Sequence, residues 1–303
     1  MATAPGAETV AALAERVERP VWVEWPRAVW VFTKRKPLGA FGGFTVIAMI
    51  VLGVLAPLVA PYGFNEQNFS EVLKAPSLSH PFGTDRLGRD MLSRIIFGAR
   101  ISIFIGFGSI LLADAIASVL GIVSGYYGGK LDTFLQRFVD IWQSLPTLVL
   151  LISILTIIGP GQTELIYALG FLFAARFTRI IRSSVIAIKN NVYIDAAKAV
   201  GASDVRILTR YIFPNVLPTV IVVATLFLGF AIIIEASLSF LGFGVPPPAP
   251  AWGRMLAEDR NDLIFGPWLS IAPGLAIAAA VFGFNMFGDA LRDVLDPRLR
   301  GTR

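Results

Sequence analysis

The chain contains several apolar runs that are long enough to cross a lipid bilayer. A spanning helix needs about 20 mostly apolar residues, and lipid offers the backbone no hydrogen-bond partner, so only helices and closed barrels can span it. Hydrophobic residues make up 55% of the chain and charged residues only 16%, whereas about 25% charged residues is usual in soluble domains. The sequence therefore predicts an all-α integral membrane protein.

Six of these runs are predicted spans, and one six-helix transmembrane bundle is the simplest architecture that contains them all. The bundle and its loops form a single predicted domain over residues 34–303, and residues 1–33 form a tail on the cytoplasmic side that is rich in tryptophan and suited to the membrane interface. The predicted spans are residues 41–61, 101–127, 138–158, 165–181, 216–241 and 269–287.

The distribution of basic residues predicts the orientation. Most of the 26 Lys and Arg residues lie in the N-terminal tail, in the loops after the second and fourth spans, and at the C-terminus. The positive-inside rule places these segments in the cytoplasm, so both termini are predicted to be cytoplasmic. The net charge of +5 then suits lipid headgroups rather than nucleic acid.

The segment between the fourth and fifth spans, residues 190–215, is called the connector below. Its front half is rich in alanine and predicts a short helix, which Gly201 breaks. Ser203 is a good N-cap for a second short helix that is predicted to end before Pro214.

The second connector helix is predicted to be amphipathic. Val205, Leu208 and Ile212 share one face, and Arg206 and Arg210 share another. A segment of this kind is too polar to span a membrane and too amphipathic for a plain loop. It either rests on lipid headgroups or presents a surface to a partner.

The connector resembles the coupling loop of ATP-binding-cassette (ABC) importer permeases. The pattern in that family is Glu-Ala-Ala, three residues, Gly, nine residues, and Ile-x-Leu-Pro. This chain has Asp195-Ala196-Ala197, then Gly201, then Tyr211-Ile212-Phe213-Pro214 at the same spacing. Asp replaces Glu with its charge kept, and Tyr and Phe replace Ile and Leu with apolar contact kept.

Three further stretches resemble the C-type permease subunit of the peptide and nickel importer family. They begin at His80 (HPFGTDRLGRDMLSRIIFGARISI), at Glu235 (EASLSFLGFGVPPPAPAWGRML) and at Gly288 (GDALRDVLDPRLR). The resemblance implies a six-helix bundle of the type I importer kind, with a cytoplasmic coupling helix, in a prokaryotic plasma membrane.

The same resemblance implies a set of partners. They are a B-type permease that completes a heterodimer, two ATP-binding subunits, and an extracellular or periplasmic substrate-binding protein. The substrates are expected to be di- or oligopeptides, with nickel chelates and oligosaccharides as alternatives. The partner ATPases would bind ATP and Mg, and this chain would hold no cofactor.

The residues themselves argue against nucleotide binding by this chain. The nearest approach to a phosphate-binding loop, SGYYGGKLD, has Ser124 in place of the first Gly and Leu131 in place of the hydroxyl residue. The chain has one His and no Cys, which leaves no zinc-protease or thiolate motif. An intramembrane enzyme and a self-sufficient channel or secondary transporter are the two rival functions.

The resemblance assigns the coupling role to residues of the connector. Two alanines would allow close approach of an ATPase, Gly201 would set the bend, and the apolar face would seat in a groove of that ATPase. The residues expected to couple are Asp195, Ala196, Ala197, Gly201, Leu208, Ile212 and Pro214.

Several polar residues outside the connector are further candidates. Asp114 and Glu235 lie within predicted spans, where an ionisable group marks a pathway or gate or serves as a structural hydrogen-bond partner. His80 is expected to serve only a turn or cap. The loop after the first span is a candidate contact for the binding protein, or else lies along the membrane surface, and its residues are Asp85, Arg86, Arg89 and Asp90.

The second span carries a small residue at every fourth position. Such a stripe lets another helix approach closely, so we predict that it packs against a helix rather than lining a pore. The stripe consists of Ser109, Ala113, Ala117, Gly121, Gly125 and Gly129.

Overall fold

A computed structural model describes residue 30 and residues 32–295, and the regular elements within these residues are helices. The predicted tail over residues 1–33 lies almost wholly outside the described residues. The all-helical prediction is confirmed. In chain order the helices are α1 (Pro37–Val54), α2 (Ala56–Val59), α3 (Met91–Tyr127), α4 (Gly129–Ser144), α5 (Thr147–Ile158), α6 (Gln162–Lys189), α7 (Val192–Ala199), α8 (Asp204–Phe240), α9 (Trp252–Glu258) and α10 (Trp268–Leu295).

The centre of the bundle is the long contact between α3 and α6. The predicted small-residue stripe forms this contact from Ser109 to Gly125, where its members are buried. An added Cβ at Gly121 would lie 2.9 Å from the Thr178 carbonyl oxygen of α6. The packing role of this part of the stripe is therefore confirmed, whereas Gly129 is exposed and begins α4.

A second close contact holds α10 against α1, and α10 also packs on α8. Gly39 and Gly42 let the backbone of α1 approach α10. An added Cβ at Gly42 would lie 2.7 Å from the carbonyl oxygen of Gly283. These contacts place α1 and α10 beside the α3–α6 core.

The described helices give fewer candidate spans than the six runs of the sequence. Among the described residues, α1, α3, α8 and α10 are long and apolar enough to cross a membrane, and α4 with α5 adds a fifth if that bent pair is one span. Helix α6 is 28 residues long but carries Glu164 and three arginines along its length. The count of six therefore stays a prediction.

The third predicted span, residues 138–158, is not one straight helix. Helices α4 and α5 meet at an angle of 92°. Pro146 explains the break, because proline lacks an N–H donor and disfavours helical geometry at the preceding residue. Leu145 is accordingly extended, with φ −82° and ψ 137°.

The predicted helix end before Pro214 is also wrong, because α8 runs from Asp204 to Phe240. A π turn at Leu208–Ile212 carries the helix into the proline, and the Phe213 N–H donates to the Leu208 carbonyl. This wider turn accommodates a residue that cannot donate a helical hydrogen bond. The connector is thus continuous with the spanning part of α8.

The α3–α6 contact predicts opposite outcomes for one substitution at two glycines of α3. Gly121→Ala drives a Cβ into the α6 backbone and is expected to cost about 1–3 kcal/mol. Gly106→Ala meets its nearest atoms at 3.7 Å and improves helix propensity, so it is expected to be neutral or slightly stabilising. Thermal unfolding in detergent checks the pair, and equal melting temperatures would contradict the packing role.

Candidate functional site

The connector lies at one end of the bundle and is fastened to the ends of two long helices. The hydroxyl of Tyr126, at the end of α3, donates to Asp204 over 2.7 Å. The connector follows α6 directly in the chain, and at that junction the ammonium of Lys189 donates to the Gly125 carbonyl of α3 over 2.7 Å, which holds the ends of α3 and α6 together. Any force on the connector is therefore passed directly to α3, α6 and α8.

Gly201 forms the bend between α7 and α8. It has φ +81°, a conformation that favours glycine. The Gly201 N–H donates to Lys198 and the Ala202 N–H donates to Ala197, which is the Schellman pattern that closes a helix C-terminus. The expected bend is present, and its geometry depends on this glycine.

One face of the connector is buried against the bundle. Ile207 and Ile212 have no exposed surface, and Ala197 is 5% exposed. Ile212 and Ala197 were expected to contact a partner, but both face the interior of this chain because the segment docks onto its own bundle. Leu208 is half-buried against the same core.

The opposite face of the connector is exposed and includes three other expected residues. Asp195, Ala196 and Pro214 are exposed. The Asp195 carboxylate lies 3.6 Å from the Lys198 ammonium, an exposed i,i+3 pair of little energetic weight.

The exposed face also contains apolar residues outside the coupling motif. One of them, Val205, was predicted to share a face with Leu208 and Ile212, but Val205 is exposed whereas Ile212 is buried. Val192, Val200 and Val205 are 83%, 85% and 69% exposed. A signal for Val192 and Val200 was present in the sequence, because residues 192, 196 and 200 are all apolar and follow the i, i+4, i+8 spacing of one helix face. The connector thus presents a small apolar surface rimmed by charges.

The other end of the bundle holds a buried charge cluster. Asp85 accepts from Arg89 Nε over 2.6 Å and lies 3.3 Å from Arg94 Nη1. Arg94 and Arg89 also donate to Glu258 of α9, over 3.0 and 3.3 Å. These bonds hold the loop over residues 61–90 against α9.

This burial corrects the expected contact with a binding protein. Asp85, Arg89 and Asp90 are at most 5% exposed, because Asp85 pairs with Arg89 and Asp90 pairs with His80 rather than with solvent. Arg86 is different, since its side chain is 43% exposed and pairs with Asp262. Arg86 alone of the four is available to a partner.

His80 has a larger role than a turn or cap. Its Nδ1 lies 2.8 Å from Asp90 and its Nε2 lies 3.1 Å from Glu71. Burial alone would lower the pKa of His80, but the hydrogen bonds to the two carboxylates outweigh it and raise the pKa. In the protonated form, which these carboxylates favour, both ring nitrogens donate, and the imidazolium links the loop to the N-cap of α3.

Asp259 follows α9 and is 2% exposed. Burial and the nearby Asp85 carboxylate raise the pKa of Asp259 to about 7, against the attraction of Arg94. The cluster at this end therefore contains two groups, His80 and Asp259, whose protonated forms the fold favours.

The two carboxylates in the spans have different surroundings. Glu235 is fully buried, and it accepts hydrogen bonds from Ser102 of α3 over 3.0 Å and from Ser239 over 2.7 Å. These contacts match its structural interpretation. Asp114 is 9% exposed, and one of its oxygens has no hydrogen-bond partner within the described part of the chain.

Comparison with known proteins gives two family matches. Residues 117–301 match the model described as "Binding-protein-dependent transport system inner membrane component". Residues 25–76 match the N-terminal TM domain of oligopeptide transport permease C.

Individual relatives agree with these matches. The chain is 39% identical over 267 residues to a dipeptide transport system permease protein of Alkalihalophilus pseudofirmus, covering 88% of each chain. It is 36% identical over 284 residues to a glutathione transport system permease protein of Pectobacterium atrosepticum, covering 93% of this chain and 94% of the relative. A glutathione transport system permease protein of Escherichia coli O6:K15:H31 is 37% identical, with 93% and 92% covered.

A solved structure has a similar fold. It is the MetNI methionine ABC transporter in inward-facing conformations, with a TM-score of 0.57 and 19% sequence identity. The similarity covers 68% of this chain and 98% of the other. The bundle therefore has the fold of an ABC importer permease.

The buried charge cluster predicts that the loop over residues 61–90 loses stability as pH rises. The contribution of His80 is complete below about 6.5 and is lost as pH passes its raised pKa, and that of Asp259 is lost as pH approaches about 7. The protection factors of this loop, which are exchange rates corrected for the intrinsic pH dependence of amide exchange, should be higher at pH 6 than at pH 8, and Asp259→Asn should reduce the difference. An unchanged pH dependence in that variant would refute the assignment.

The bend at Gly201 predicts a conformational requirement rather than a steric one. An added Cβ meets nothing within 4 Å, so the cost of Gly201→Ala, about 1 kcal/mol, comes only from its positive φ. Gly201→Asn should cost less, because asparagine tolerates this region. Proteolysis of the connector in mild detergent checks the order Gly, Asn, Ala, and equal rates for all three would contradict it.

Proposed function

The chain belongs to the ABC importer permeases of the peptide and nickel family, and we propose that it forms half of a translocation pathway for small peptides and couples it to partner ATPases through the connector. It is a multi-pass inner membrane protein and a transport component rather than an enzyme. The observation that carries the coupling proposal is the exposed apolar surface of Val192, Val200 and Val205 on a segment tied to three long helices.

The connector has the properties that a mechanical link needs. Its inner face is anchored by Ile194, Ile207 and Ile212, each fully buried, and its bend is closed by hydrogen bonds at Gly201. A rigid segment of this kind moves as one body. When an ATPase groove that holds the exposed valines closes, the ends of α3 and α6 move with it, and the bundle changes between its two arrangements.

In this coupled transporter, chains other than this one bind and hydrolyse ATP. Two ATP-binding subunits would bind ATP and Mg and hydrolyse the nucleotide, and the connector would face them in the cytoplasm. Both termini of this chain then lie on the same side, as the basic residues predict. A B-type permease completes the pathway, and a substrate-binding protein delivers cargo at the end that carries Arg86 and Asp262.

The substrate class rests on the relatives. They are named for dipeptide and glutathione transport, and both cargoes are small peptides with a free carboxylate. We therefore propose a small peptide, glutathione included, as the cargo, in preference to a nickel chelate or an oligosaccharide.

The coupling role predicts that a charge on the apolar surface releases the ATPases. Val200→Asp places a carboxylate at an 85% exposed position and should reduce recovery of ATP-binding subunits on affinity purification by at least about tenfold, since desolvating one unpaired charge costs well over 1.4 kcal/mol. The matched control is Leu78→Asp, which adds the same charge to a fully exposed leucine at the other end of the bundle.

The control separates coupling from damage to the fold. Leu78→Asp should keep the ATPases, and both variants should keep the second permease. Recovery of the ATPases with Val200→Asp, or recovery of no ATPase with the unmodified chain, would refute the coupling proposal.

A further inference from the structure

Two neighbouring cavities open on the face formed by α6, α8 and α10, beside the break between α4 and α5. The larger has a volume of about 330 Å³ and is lined by Arg176, Phe227, Phe230 and Asn285, among others. The smaller has a volume of about 60 Å³ and is lined by Trp142 and Gln143 together with Arg176 and Phe230. Arg176 therefore stands at the junction of the two.

Helix α6 carries a row of three arginines, and two of them have carboxylate partners on α4. Arg182 donates to both oxygens of Asp132, over 2.6 and 2.5 Å. Arg179, one turn further along α6, donates to Asp140. The antiparallel register of α4 and α6 thus matches each of these arginines with an acid.

The third arginine of the row, Arg176, is not matched with an acid of α4. The residue of α4 near Arg176 is Gln143, which lines the same small cavity. No ion pair of Arg176 occurs within residues 32–295, and its guanidinium lies 5.8 Å from the ring centroid of Phe227. Arg176 is exposed on this face of the bundle. A cation within a membrane bundle that lacks a carboxylate partner is costly, and such residues commonly mark a substrate path.

Two buried donor atoms also lie in the lining of the small cavity. The Trp142 indole N–H and the Gln143 amide nitrogen are buried, and neither has a hydrogen-bond partner among the described residues. None of the residues lining the two cavities is Asp or Glu. A space with one guanidinium, two unpaired donors and aromatic walls is complementary to a carboxylate.

We propose that Arg176, with Trp142 and Gln143, forms a transient binding site for the carboxylate of a small-peptide substrate on its way through the bundle. This inference rests on the proposed function, since it names the part of the cargo that this face recognises. The open cavity and the single cation hold the carboxylate weakly, which lets the cargo leave.

The experiment uses the complete transporter and compares two substrates, a peptide with a free C-terminal carboxylate and the same peptide with a C-terminal amide. The complex is reconstituted in vesicles with its binding protein, and ATP-dependent uptake of dialanine and of dialanine amide is measured. The uptake by each variant is divided by the uptake by the unmodified complex for the same peptide. Any preference of the binding protein for one of the two peptides therefore does not affect the ratio. The variants are Arg176→Gln, Arg176→Lys and the control Arg179→Gln, which breaks the ion pair with Asp140.

Arg176→Gln should lower dialanine uptake about tenfold, the value of one charge-assisted hydrogen bond, and leave dialanine amide uptake unchanged. Arg176→Lys should retain most of the dialanine uptake because it keeps the charge. Arg179→Gln should affect both peptides in the same proportion.

Two results would overturn the inference. One is an equal loss for both peptides in Arg176→Gln. The other is loss of the second permease from the purified Arg176→Gln complex, which would show that Arg176 pairs with a carboxylate of that subunit. Failure of the unmodified complex to import either peptide with ATP would instead overturn the proposed function on which this inference depends.

Discussion

The absence of water from the bilayer governs this structure, because each polar group placed there needs a partner within the protein. The backbone meets this requirement as helix, and Glu235 meets it through Ser102 and Ser239. Many of the charged groups are gathered at the two ends of the bundle, in the connector and in the cluster around Asp85. The long helices between them are consequently held by close packing of small residues, as between Gly121 and α6.

The fold class and the close packing of α3 against another helix could be predicted from the sequence. The effect of a proline could not, because a proline can either break a helix or be accommodated within it. At Pro146 the chain breaks and turns by 92°, whereas at Pro214 a π turn carries the helix onward. Both prolines remove the same hydrogen bond. The difference comes from tertiary packing, because Ile207, just before the π turn, and Ile212, its last residue, are both buried and hold the helix together there.

The site residues show the same limit more sharply. Gly201 was identified by its spacing, and its positive φ follows from a local backbone requirement that sequence can reveal. The direction of the neighbouring side chains could not be derived, because it depends on how the connector docks against the bundle. Ala197 and Ile212 therefore face inward, while Val192 and Val200 face outward. Likewise, Asp85 and Arg89 were expected to be exposed because they are charged, but they are buried against α9.

The arrangement of charge along α6 connects these two ends. Arg182 and Arg179 are neutralised by α4, and their ion pairs fasten the two helices near the connector. An acid on α4 opposite Arg176 would continue this pairing and would close this face of the bundle at the level of the break between α4 and α5. Gln143 stands there instead, and the helices diverge at Pro146 to leave a cavity. Two features therefore act together at this level. Gln143 leaves Arg176 without an acid among the described residues of α4, and the break at Pro146 opens the polar space beside it.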